Sequence, residues 1–92
     1  MIRWGILSTA EIAQKHLIPA ILEAKGAQLQ GIASRDINKA KIIADQFNIN
    51  KVYQNYYSLI NSTNIDAVYI PLPTSEHIKW SIKAAIAGKH VL

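Results

Sequence analysis

The first apolar run, Ile2 to Leu7, reads Ile-Arg-Trp-Gly-Ile-Leu. It is too short for a helix and predicts a strand buried on both faces. From about Glu11 the spacing changes: Ala13, Leu17, Ala20, Ile21 and Ala24 recur at helical intervals, and Gly26 stands where a helix C-cap would. Pro19 inside that stretch predicts a kink or local irregularity. Ala27 to Ser34, with Leu29, Gly31, Ile32 and Ala33, predicts a second strand. The next segment places Ala40, Ile43, Ala44 and Phe47 on one helical face, with Asp36 or Asn38 available as N-cap. Lys51 to Tyr53 predicts a brief third strand and Tyr57 to Ile60 a short helix. Ala67 to Ile70 predicts a fourth strand, ended by Pro71 and Pro73. In the last helix, Ser75 to Ala87, the residues Ile78, Ile82, Ala85 and Ile86 share one face; Gly88 closes it and His90 to Leu92 opens a fifth strand.

Strands alternating with helices of about ten residues imply right-handed βαβ units and a parallel sheet. The expected fold class is α/β: a Rossmann-type doubly wound sheet of order 3-2-1-4 with the start of strand five, three-layer αβα and truncated. No linker or repeat interrupts it. A chain of 92 residues, half of them apolar, builds one core and hence one domain, residues 1–92. Enzymes with a separate catalytic lobe need a much longer chain, so this one is expected to be either a small binding module or a fragment.

Charge and composition narrow the partners. The formal net charge is +4, but the ten basic residues are scattered singly, so no nucleic-acid partner is expected. A basic excess also suits a pocket for a phosphorylated small molecule. Cysteine is absent, which excludes disulfides, zinc ribbons and thiol catalysis. The N-terminus lacks a signal sequence and no run approaches membrane-spanning length, so a cytoplasmic protein with no membrane partner is expected. No His/Asp/Glu spacing resembles a metal site, and His16 and His90 read as a helix-surface and a strand residue respectively.

Candidate chemistry lies in three turns at the carboxyl ends of the strands. The first reads Ser8-Thr9-Ala10-Glu11-Ile12-Ala13, with Ser8, Ala10 and Ala13 at the spacing of G-x-G-x-x-G/A. Small residues there permit a tight turn and close approach of a pyrophosphate to backbone N–H groups. A plain strand-to-helix turn would look the same, and the Glu11 carboxylate opposes an anion unless it points outward. At the end of the second strand, Ser34-Arg35-Asp36 offers a hydroxyl and a planar cation, with Lys39 one helical turn on. That set suits a 2′-phosphate and favours NADP; an Asp36 turned inward to the ribose would favour NAD instead. The third turn, Pro71-Leu72-Pro73-Thr74-Ser75-Glu76-His77, forms the other wall of the crevice, with Ser75 able to cap the next helix and His77 facing inward as a ribose or nicotinamide contact. His77 has no readable carboxylate partner, so its expected role is binding alone.

These blocks, together with Ala33-Ser34-Arg35-Asp36, Asp66 to Pro73 and Ala87-Gly88-Lys89-His90-Val91-Leu92, resemble the glucose–fructose oxidoreductase, inositol dehydrogenase and rhizopine-catabolism (Gfo/Idh/MocA) family along the whole chain. The resemblance implies an N-terminal Rossmann domain that binds NADP (alternatively NAD). It further implies a C-terminal substrate domain, often the dimer-forming part, for a sugar, polyol or dihydrodiol-like substrate. On that footing Ser8, Thr9, Ala10, Glu11 and Ile12 hold the pyrophosphate; Ser34, Arg35 and Lys39 hold the adenosine phosphate; Leu72, Pro73, Thr74 and His77 flank the nicotinamide. The family usually carries glycine where Ser8 stands, and an asparagine where Thr74 does. Its Ala-Gly-Lys-His-Val-Leu run normally continues into Glu-Lys-Pro, whose lysine is catalytic, so no catalytic residue is expected within these residues and the 92-residue chain is expected to be inactive alone. Some members use the same fold as a noncatalytic sensor, which is the alternative expectation.

Overall fold

The computed structural model describes residues 1–10 and 13–92. The strands β1 (Ile2–Leu7), β2 (Ala27–Ala33), β3 (Lys51–Tyr53), β4 (Ala67–Tyr69) and β5 (His90–Val91) form one parallel sheet in the order β3-β2-β1-β4-β5. The helices α1 (Ile18–Glu23), α2 (Ile37–Phe47), α3 (Tyr56–Ile60) and α4 (Thr74–Ile86) cover its two faces. This is the doubly wound arrangement that the alternating pattern predicts.

Strand alternation sends consecutive residues to opposite faces. Ile6 and Ile32 therefore enter the core beneath α1 and α2, with Ile18, Ile21, Ile43 and Ile49. Leu7 and Ala33 enter the other, with Tyr53, Tyr56, Leu59, Ile65, Val68 and Ala84. Gly5 and Gly31 pair across β1 and β2, just past a register shift after Trp4. A Cβ on Gly5 would lie 2.6 Å from the Leu59 side chain, and one on Gly31 would collide with the Tyr53 ring. The paired glycines let the second core lie flush on the middle of the sheet.

Asp36 caps α2, its Oδ1 accepting from the N–H of Asn38 (3.0 Å) and of Lys39 (3.4 Å). Asn48, left-handed at φ 55°, ends that helix. Asn55 caps α3 by accepting from Ser58 N–H at 2.8 Å. Gly88, at φ +82°, follows the end of α4 and donates to Ala85 O at 3.0 Å.

Three local expectations are corrected, while the irregularity expected at Pro19 is present: it is a π-helical turn, Ala13–Leu17, that precedes the proline, with Pro19 in the first turn of α1. A proline that lacks an N–H and crowds the preceding carbonyl is accommodated there. The wider turn shifts the helical phase, so Ile18 and Ile21 are buried whereas Ala20 and Ala24 are exposed. Gly26 is not the cap: α1 ends at Ala24, and Gly26, at φ +80°, makes the turn into β2. Finally, the face of α4 bearing Ile78, Ile82 and Ile86 looks outward, these residues being 55%, 56% and 82% exposed. Ala84 packs on the sheet instead, with Trp80 and Ala87 beside it.

Candidate functional site

The sheet order brings the carboxyl ends of β2, β1 and β4 side by side, so the three turns named above open onto one edge. A cavity of about 460 Å³ lies there, lined by Ser8 and Thr9 after β1, by Ser34, Arg35 and Lys39 at and beyond β2, and by Leu72 and Pro73 after β4. Among the described residues its walls combine a polar turn, two cations, the carboxylates of Asp36 and Glu76, and an apolar lip. Ala10 follows the same turn. Glu11 and Ile12 lie outside the described residues. Thr74 and His77 do not line this cavity. His77 lies back along α4, its Nδ1 3.4 Å from Ser81 Oγ, and its N–H donates to Pro73 O at 2.8 Å. Ser75 makes no capping bond, because α4 begins one residue earlier, after Pro73, with no side-chain cap.

The β1 turn is shaped by Ser8. Its φ of 147° lies where glycine is favoured over other residues, and its N–H donates to Ala33 O at 2.9 Å, tying the turn to the end of β2. The Ser8 hydroxyl accepts from Ala10 N–H at 3.0 Å, so one amide of the turn is already partnered by a side chain. Ser34, only 7% exposed, links the neighbouring turns: its Oγ lies 3.5 Å from Thr9 Oγ1 and accepts from Asp36 N–H at 3.2 Å.

Arg35 stands at the mouth, its side chain 77% exposed. Beyond it lies a second cavity, of about 390 Å³, between β3, α3 and α4, lined chiefly by Tyr56, Tyr57, Trp80 and Lys79 with Gln54 and Asn55. Ser34, Arg35, Tyr56 and Glu76 line both spaces. Glu76 Oε2 accepts from the Trp80 indole N–H at 3.0 Å and lies 3.8 Å from Arg35 Nη2. Tyr56 meets Trp80 edge to face at 5.2 Å. Burial raises the Tyr56 phenol above its ordinary value, with the Arg35 charge pulling it down and the Glu76 charge pushing it up. The sequence expectations did not include this second space. The four-residue spacing of Glu76 and Trp80 on a helix was its only sequence signal.

The chemistry the edge can perform is recognition. Arg35 and Lys39 suit a phosphate, the fork of Arg35 doing so bidentately. The polar β1 turn can meet a pyrophosphate, and Leu72 and Pro73 offer an apolar wall. Among the described residues no group of three or more metal-binding side chains gathers, and no helix is long and apolar enough to cross a membrane.

The sequence profile of the oxidoreductase family with an NAD-binding Rossmann fold matches residues 2–92. An uncharacterized oxidoreductase of Rhizobium meliloti is 46% identical over 92 residues, all of this chain and 28% of that protein. A Haloferax volcanii protein named D-xylose 1-dehydrogenase (NADP(+)) 2 is 44% identical over 89 residues, 97% of this chain and 27% of that protein. Among solved structures, a 3-ketoreductase from Actinomadura kijaniata in complex with NADP and TDP-benzene matches with a TM-score of 0.94 at 36% identity, over 99% of this chain and 28% of that one. The chain thus spans little more than a quarter of the length of these relatives.

Proposed function

Because the chain belongs to the oxidoreductase family with an NAD-binding Rossmann fold, we propose that it is the dinucleotide-binding part of an enzyme using NADP. That enzyme moves a hydride to or from a hydroxyl- or carbonyl-bearing carbon of a sugar, polyol or dihydrodiol-like substrate. The observation that carries the reading is the convergence of Ser8, Thr9, Ser34, Arg35, Lys39, Leu72 and Pro73 on one cavity at the carboxyl edge of the sheet. The named activities of the relatives, a xylose dehydrogenase and a 3-ketoreductase, support the substrate class.

In this reading the β1 turn holds the pyrophosphate and Ser34, Arg35 and Lys39 hold the adenosine 2′-phosphate. Leu72 and Pro73 exclude water from the nicotinamide side. The bound nicotinamide supplies the hydride chemistry, while these residues bind and orient it. The accompanying proton is handled by a side chain outside these 92 residues, so the chain alone binds dinucleotide without turnover.

Fluorescence titration with NADPH and NADH tests this. NADPH is expected to bind more tightly, and Arg35→Ala to cost about tenfold in NADPH affinity, the worth of one charge-assisted contact, with little effect on NADH. Tighter binding of NADH by the unmodified chain would overturn the assignment to NADP.

A further inference from the structure

We infer that Glu76 sets how strongly this site prefers a 2′-phosphorylated adenosine, by competing with that phosphate for Arg35. The inference rests on the reading of the crevice as a site for an NADP-type dinucleotide. It gives Glu76 a part in specificity opposite to that of Arg35 and Lys39, which attract the phosphate.

Among the described residues, two carboxylates, Asp36 and Glu76, line the cavity beside Arg35. Asp36 is committed to α2, its Oδ1 accepting from the N–H groups of Asn38 and Lys39. Glu76 is held by α4, because its Oε2 accepts the Trp80 indole N–H at 3.0 Å. That bond fixes the carboxylate on the partition between the two cavities. The same oxygen lies 3.8 Å from Arg35 Nη2. Arg35 itself is mostly exposed, so its orientation is set by whichever anion it meets.

A guanidinium offers donors along more than one edge, so Arg35 can touch Glu76 and a phosphate at once. Charge decides which effect dominates. The carboxylate offers a rival partner for a cation whose pairing in solvent is weak, and it repels the incoming dianion on the far side of that cation. The saving from a partly ordered Arg35 is limited, since a 3.8 Å contact to a largely exposed side chain restricts it little. Glu76 therefore lowers affinity for the phosphorylated ribose and leaves the unphosphorylated one untouched. The outcome is a moderated preference between the two nicotinamide dinucleotides.

The test uses adenosine 2′,5′-bisphosphate and 5′-AMP, which share the adenosine 5′-phosphate and differ only in the 2′-phosphate. Calorimetric titration of the chain, of Glu76→Gln, of Arg35→Ala and of the double variant yields the ratio of the two affinities in each. Glutamine keeps a side-chain oxygen for the Trp80 indole, and unchanged tryptophan emission verifies that contact. Glu76→Gln is expected to raise the preference for the bisphosphate about twofold to fivefold, the range of an exposed ion pair. In the Arg35→Ala background the gain is expected to fall below about 1.5-fold, because non-additivity reports competition for a shared partner. No gain, a loss, or an equal gain with Arg35 absent overturns the inference. The preference of the unmodified chain separately tests the NADP reading, so the two can fail independently.

Discussion

Ser8 carries a conflict between residue type and backbone. Its φ of 147° suits glycine, the residue the Gfo/Idh/MocA resemblance leads one to expect there, yet serine occupies it and uses its hydroxyl to accept from Ala10 N–H. Holding a non-glycine residue in such a region costs about 1–3 kcal/mol. Replacement by glycine removes that cost, but loses a hydrogen bond worth about 1 kcal/mol and adds about 0.5–1 kcal/mol of unfolded-state entropy. The terms nearly cancel, so Ser8→Gly is expected to shift stability by no more than about 1 kcal/mol in thermal denaturation. Affinity is a different matter. Freeing the Ala10 amide for a pyrophosphate oxygen is expected to tighten NADPH binding by about threefold to tenfold, the worth of one hydrogen bond to a charged group, measured by fluorescence titration. The Ser34-Arg35-Lys39 set was legible as a run in the sequence because all three belong to one strand end and the helix after it. Glu76 was not, because its partner Arg35 comes from a different βα unit.

At the scale of elements, periodicity identified each helix, and neighbours decided how it sits. In α1 the π turn before Pro19 rotates the apolar stripe by part of a turn, which replaces Ala20 and Ala24 with Ile18 in the core. In α4 the three isoleucines form the more apolar stripe, but Trp80 packs inward against the second core, meeting Tyr56 of α3 edge to face. The helix thus turns Ala84 to the sheet and leaves Ile82 outside. This orientation has a measurable consequence. Ile82→Gln is expected to change stability by less than about 0.5 kcal/mol, as for an ordinary surface site. Ala84→Leu, overpacking a position that is 0% exposed, is expected to cost about 1–3 kcal/mol. Denaturant unfolding of the two variants checks the pair, and the reverse order would mean that α4 packs through its isoleucines.

For the molecule as a whole, the two ends of the sheet do different work. The carboxyl end carries the crevice, while the amino end is tied by Arg3 and Asp66. Asp66 Oδ2 accepts from the Arg3 N–H at 2.8 Å and from its Nε at 3.0 Å, Oδ1 accepts from Nη2 at 2.9 Å, and Asp66 N–H donates to Arg3 O at 2.8 Å. The Arg3 guanidinium and backbone N–H together hold the Asp66 carboxyl well below the usual carboxylate range, and Asp66 in turn raises Arg3. A carboxyl depressed in the folded state stabilises above its unfolded value, near pH 4, and loses that contribution as pH falls toward the folded value. Asp66→Asn is therefore expected to lower the melting temperature at pH 7 and to flatten its decline below about pH 4, followed by calorimetry across pH. An equally steep acid limb in the variant would show that other carboxyls govern it. By itself the sequence determined the order of strands and helices, the parallel sheet and the three turns that meet at one edge. Alternation and right-handed crossovers leave little choice once the apolar runs are placed. Only the tertiary structure decided the backbone of Ser8, the outward face of α4 and the meeting of Glu76 with Arg35. Periodicity records which residues are apolar, whereas these three depend on what the folded chain sets beside them.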